Sequence, residues 1–153
     1  MHRRSILASL FAATGAALAS ATTARAEPAR AEPAAPDKAK VVYHLTDLDK
    51  VSFVLRNIRN HFNGMGGPDK VTIALVVHGP ALKAFHTKSA NPEHVRQVRE
   101  LKTVGVEFAA CGKMMEVQNV ALKDLLPGFI ELDQSGVVRL AELQSQGYLY
   151  LRP

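Results

Sequence analysis

The stretch "KVTIALVVH", residues 70–78, decides the fold. From Val71 to Val77 only Thr72 is polar, so neither face of a strand built from it would suit water. A sheet with one wet face alternates apolar and polar residues; a parallel strand covered on both sides does not. This run therefore predicts a central strand of a parallel sheet. Two further runs are similar, "VVYHL" at 41–45 and "VEFAAC" at 106–111, and "FIELD" at 129–133 and "YLYL" at 148–151 complete a set of five.

Helical patterns separate these runs. Thr46 is expected to cap a helix with Asp47 and Asp49 in its first turn, and Leu48, Val51, Leu55, Ile58 and Phe62 form its apolar stripe. "NGMGGPD" ends it. "GPALKAFH" predicts a short helical turn after the second strand. Asn91 and Pro92 read as cap and first position of a helix reaching about Thr103, with Val95, Val98 and Leu101 inward and Gly105 as the stop. "KMMEVQNV" and "ALKDLLPG" form a broken helical segment, and Ser135 opens a last helix through Gln146. Regular alternation of strand and helix predicts an α/β protein of flavodoxin-like, doubly wound type: a mostly parallel five-stranded sheet with helices on both faces. The chain contains no internal repeat.

The first 26 residues read as a leader rather than as part of the fold. They have a basic start with Arg3 and Arg4 adjacent, an Ala- and Leu-rich middle, and the small-x-small site Ala24-Arg25-Ala26. The arginine pair and the weakly apolar core favour the twin-arginine route. Cleavage after Ala26 would leave 127 of the 153 residues and remove three arginines and no acid, so the formal charge drops from +5 to +2. That balance, with no basic and aromatic stripe, argues against a nucleic-acid partner. Residues 27–40, "EPARAEPAAPDKAK", read as a disordered spacer before a single domain over 41–153. The expected product is soluble, periplasmic and free of the membrane once the leader is removed.

In parallel sheets, chemistry gathers beyond the C-terminal strand ends. His44, His78 and Cys111 stand at the ends of the first three strands, and a strand order of 2-1-3 would place all three along one rim. "LTDLD" after the first strand carries two aspartates that repel phosphate, so no flavin or nucleotide is expected and no cofactor is assigned. Cys111 is the only cysteine. A flexible Gly112, a following helix start and Lys113 would together favour its thiolate as a nucleophile able to hold sulfane sulfur as a persulfide. A small, buried, inert side chain is the competing reading. His61 and His94 fall on helices as solvated surface, while His86 could approach the rim. His44, His78 and Cys111 could also be read as soft-metal ligands, although no closely spaced ligand pair supports it. Met114 and Met115 read as core or interface filler. Tyr148 and Tyr150 belong to a closing strand or to a subunit contact.

"VVYHLTD", "VVHGPAL", "LKTVGVEFAACGKMM" and "DLLPGFIELDQSGVVRLAELQSQGYLYLRP" together resemble the DsrE/DsrF-like family of sulfur-relay proteins, over residues 41–153. The branch it most resembles has a His-Gly pair after the second strand and a Gln-x-x-Gly-Tyr-x-Tyr-x-x-Pro ending, and many of its members have no assigned activity. The resemblance implies a flavodoxin-like domain that forms trimers or hexamers, alone or with related subunits. It implies a sulfur-accepting cysteine at the end of the third strand, which Cys111 matches, with His78 beside that pocket. Sulfur-donor and sulfur-acceptor proteins would be the partners, although an exported chain is separated from the cytoplasmic ones. The expected site set is Cys111, His78, His44 and Lys113. Its expected function is that of a sulfur carrier, with a non-catalytic assembly module as the alternative.

Overall fold

The computed structural model describes residues 38–153; the expected leader over 1–26, and the expected spacer up to residue 37, lie outside the described residues. Five strands form one sheet: β1 (Ala39–Leu45), β2 (Val71–Val77), β3 (Glu107–Cys111), β4 (Phe129–Leu132) and β5 (Leu149–Leu151). All four pairings are parallel. Four helices accompany them: α1 (Val51–Met65), α2 (Pro92–Thr103), α3 (Gly112–Gln118) and α4 (Gly136–Ser145). The first strand begins at Ala39, inside the stretch read as spacer. Among the described residues, no helix is long and apolar enough to cross a membrane.

The strand order is β4-β3-β2-β1-β5, so β2 lies at the centre and the 2-1-3 order is not adopted. This order decides where the helices go. From β1 to β4 the chain moves stepwise in one direction, and right-handed crossovers then place every connecting helix on one face. From β4 it must return across the whole sheet to reach the far side of β1, and the same handedness puts α4 alone on the opposite face.

The two faces are packed accordingly. Val41, Tyr43 and Leu45 of β1, Ile73, Leu75 and Val77 of β2, and Phe108 and Ala110 of β3 face the large core beneath α1, α2 and α3. The alternate residues Val42, Ala74, Val76 and Ala109 meet Leu140 and Leu143 of α4. β2 is apolar on both sides because both sides are covered, as its sequence requires.

Local signals act mostly as read. The Asn91 side chain accepts a hydrogen bond from the Glu93 N–H at 2.8 Å, and Pro92 opens α2. Val98 and Leu101 are buried, but Val95 is exposed. Thr46 does not cap α1: a 3-10 turn at Leu48–Lys50 intervenes, and the Thr46 hydroxyl accepts from the Arg152 guanidinium at 3.0 Å instead. Leu48 is exposed as a result, while Val51, Leu55, Ile58 and Phe62 form the buried stripe. Ser135 occupies the cap position of α4 without a side-chain capping bond.

Gly112 is required by proximity rather than by flexibility. A Cβ at this position would stand 2.3 Å from the Leu132 carbonyl oxygen, which is backbone and cannot rotate away. Gly112→Ala should force the ends of β3 and β4 apart and cost about 3 kcal/mol. Gly64→Ala, in α1 with nothing within 4 Å of the added methyl, should instead stabilise by about 0.5 kcal/mol. Urea unfolding of both variants checks the contrast, and equal midpoints would contradict it.

Candidate functional site

The site is built on the α4 face at the C-terminal ends of the strands. Alternation from Val42, Val76 and Ala109 places His44, His78 and Cys111 on that same face. Val77 pairs with Ala110, so His78 and Cys111 follow each other's neighbours side by side at the ends of β2 and β3. His44, on β1, pairs in register with Val76 of β2. The structure thus brings Cys111, His78 and His44 to one rim, although through a different strand order. Because β2 is central, His78 stands between the thiol and His44.

The β3–β4 crevice is where successive crossovers leave the sheet on opposite faces, toward α3 and toward α4. Such a switch point is where open α/β sheets leave room for ligands. Cys111 ends β3 there, in register with Leu132 of β4. The Gly136 N–H, in the first turn of α4, donates to the Cys111 sulfur over 3.3 Å. A helix N-terminus favours negative charge on the group it faces. Gly136 also fixes the spacing: a Cβ on it would meet Val76 Cγ1 at 3.3 Å, Cys111 Cβ at 3.4 Å and His78 Cβ at 3.6 Å. The first turn of α4 is therefore seated directly against Cys111 and the base of the His78 side chain.

Cys111 is only 1% exposed, so the side chain read as a nucleophile is buried, as in the competing reading of it as a small buried residue. The cause is the same first turn of α4, which covers the crevice. Its sulfur meets the Gly136 amide, and Gly136 itself lies against Val76 and the Cβ of His78. Lys113 lies on the exposed side of α3, where its ammonium donates to both carboxylate oxygens of Glu116 at 3.1 Å. The helix that meets the sulfur is α4 rather than α3.

His44 is 8% exposed, and its Nδ1 shares a hydrogen bond of 2.8 Å with the Tyr150 hydroxyl. Burial pushes its pKa below the ordinary histidine value, and the nearby His78 and Arg152 push the same way against Asp47. The rings of His44 and His78 lie 5.7 Å apart. His44 Nε2 and His78 Nδ1 are both buried without a hydrogen-bond partner.

The remaining histidines lie elsewhere. His61 and His94 are half-buried rather than solvated: His61 Nδ1 bonds the Tyr43 hydroxyl at 2.9 Å, and His94 Nε2 bonds Ser52 Oγ at 2.8 Å. His86 bridges Leu125 through its backbone and lines a separate groove with Met114 and Val117. Met115 is core. Among the described residues, no group of three or more His, Cys, Asp or Glu side chains is placed to hold a metal ion. Sequence reasoning missed Gly136 and Tyr150 as parts of the site. Their partners come into view only once α4 and β5 are placed across the sheet.

Comparison with known proteins identifies the lineage. The DsrE/DsrF-like family model matches residues 40–153, and the chain belongs to that family. Membership points to a role of the sulfur-relay type. Among solved structures, a protein of unknown function from Methanobacterium thermoautotrophicum, MTH1491, is 28% identical with a TM-score of 0.66, covering 75% of this chain and 99% of that one. The ychN protein from E. coli is 13% identical with a TM-score of 0.56, at 75% and 99% coverage. BT1422, a conserved protein of unknown function from Bacteroides thetaiotaomicron, is 18% identical with a TM-score of 0.54, at 74% and 94%. The latter two show a shared fold alone. No curated protein matches the chain.

Burial lowers the pKa of His94 as well as that of His44. The unfolded chain then binds protons that the folded chain refuses. The stability these two histidines contribute is full above the unfolded value of about 6.5 and is lost as pH falls through the depressed folded values. Urea midpoints should therefore drop between about pH 7.5 and 5, and a His44→Gln/His94→Gln double variant should show a flatter profile. A double variant with the wild-type slope would contradict this.

Proposed function

We propose that this protein is a periplasmic sulfur carrier that accepts sulfane sulfur on Cys111 and passes it to a thiol of a partner protein. The observation that carries the reading is the Gly136 N–H directed at the Cys111 sulfur, with His78 against the same turn. The Cys111 thiolate attacks the terminal sulfur of a donor persulfide, the new S–S bond forms, and the donor thiolate leaves with the electron pair. In the second half, a partner thiolate attacks the terminal sulfur now on Cys111, and Cys111 departs as thiolate. The α4 N-terminus supports negative charge at Cys111 in both halves. His78, and His44 behind it, orient the sulfur species and supply or take up its proton. Lys113 takes no part in this reading, because its ammonium is paired with Glu116 on the exposed side of α3.

The leader-like first 26 residues support export by the twin-arginine route. The uncovered edge of β5, with Leu149, Tyr150 and Leu151 all exposed, supports assembly into a homo- or hetero-oligomer such as a trimer or hexamer. One observation favours a second reading, a non-catalytic assembly module: the thiol is buried. Transfer then requires the first turn of α4 to move aside.

Intact mass after incubation with polysulfide tests the carrier. The mature protein should gain one sulfur atom, Cys111→Ala should gain none, and His78→Ala should load about tenfold more slowly. No gain from polysulfide or other sulfane donors would overturn the reading. A thiol that iodoacetamide reaches only in denaturant would favour the assembly module.

A further inference from the structure

Tyr150 belongs to the edge strand, yet its side chain reaches the site. β5 pairs in parallel with β1, with Tyr150 opposite Val42, so Tyr150 shares the α4 face with Val42 and His44. Its hydroxyl lies 2.8 Å from His44 Nδ1, with the rings 5.8 Å apart. Four side chains from four adjacent strands thus form one row: Tyr150, His44, His78 and Cys111.

The hydrogen bond orients the imidazole. With Nδ1 engaged by Tyr150, Nε2 is the ring nitrogen left over, and the His78 ring lies 5.7 Å from the His44 ring on the β2 side. Both His44 Nε2 and His78 Nδ1 lack a partner there. We propose that Tyr150 is a positioning residue of this site: its hydroxyl donates to His44 Nδ1 and thereby keeps the His44 proton on Nε2, facing His78 and the thiol. A neutral imidazole has one donor and one acceptor, so occupying one nitrogen decides the other. The groups that act on the charge of His44 are His78 beyond β2, Asp47 beyond β1 and Arg152 beyond β5, and their balance with burial favours the neutral ring. Arg152 in turn is held by the Thr46 hydroxyl at 3.0 Å and lies 3.6 Å from Asp47, which fastens the chain end beside the row.

The inference rests on the sulfur-carrier reading for its purpose but not for its test. Tyr150→Phe keeps the ring and removes only the hydroxyl at an edge position, so the variant should stay folded, with a melting temperature lowered by no more than about 8 °C through the orphaned His44 Nδ1. Nitrogen-15 NMR of the labelled histidines should show His44 as the Nε2–H tautomer in the wild type and as a mixture in Tyr150→Phe. The pH–rate profile of Cys111 with methyl methanethiosulfonate, which forms Cys111–S–SCH3 and releases methanesulfinate, should shift, with about a five-fold rate change at pH 7. An unchanged tautomer, or an unchanged profile, overturns the positioning role. If both change while wild type takes up no sulfur from polysulfide, Tyr150 keeps its place and the carrier reading falls.

Discussion

The hydrogen bond from Gly136 to the Cys111 sulfur exists because the chain has to cross its own sheet. Four strands are laid down in one direction, and the fifth is added beyond the first. Handedness then sends the returning segment to the empty face, and α4 begins where β4 ends. It starts over the β3–β4 crevice, where the sole cysteine terminates its strand. The thiol, the first turn of α4 and the two histidines are therefore consequences of a single topological choice. Had β5 been added beyond β4, no helix N-terminus would meet this sulfur.

The same crossing accounts for what could be read in the sequence. Each strand and helix is specified by local periodicity, so "KVTIALVVH" announces a doubly covered strand and Asn91-Pro92 announces a helix start without any knowledge of neighbours. Strand order is not local. It depends on which edges remain free after the first pairs form, and nothing in a period of two or 3.6 encodes it. His44, His78 and Cys111 could be placed on one rim because each ends a strand of the same sheet. That His78 is the thiol's neighbour, and that Gly136 and Tyr150 take part, depends on the order. Gly112 shows the same division: its identity is visible in the sequence, but a carbonyl 2.3 Å from its missing methyl is not.

Burial and polarity compete at this rim. A buried imidazole is costly when charged, and His44 answers by remaining neutral and spending one nitrogen on Tyr150. The other nitrogen, like its counterpart on His78, is left without a partner. The opposite face is packed mainly by apolar side chains, with the Tyr43 hydroxyl turned to His61. Unsatisfied buried nitrogens destabilise, and two of those among the described residues, His44 Nε2 and His78 Nδ1, stand on neighbouring strands at the rim that Cys111 shares.

The unequal covering of the two faces bears on how a buried thiol can act. The face beneath α1, α2 and α3 holds most of the core, including Phe85, Phe108 and Phe129. Among the described residues the other face is closed by α4 alone, whose buried apolar contacts are Leu140 and Leu143, both past its first turn. Fully burying a leucine contributes about 1.5–3 kcal/mol, so detaching the whole helix is expensive. The first turn is different: Val137 is exposed, Val138 is half-buried, Ser135 makes no side-chain cap, and Gly136 carries no side chain. Fraying that turn gives up the bond to sulfur and little apolar contact, while Leu140 and Leu143 keep the rest of α4 in place. Among the described residues, the turn that covers Cys111 thus carries less apolar contact than the part of α4 that bears Leu140 and Leu143, which makes its local opening the least costly route to the thiol.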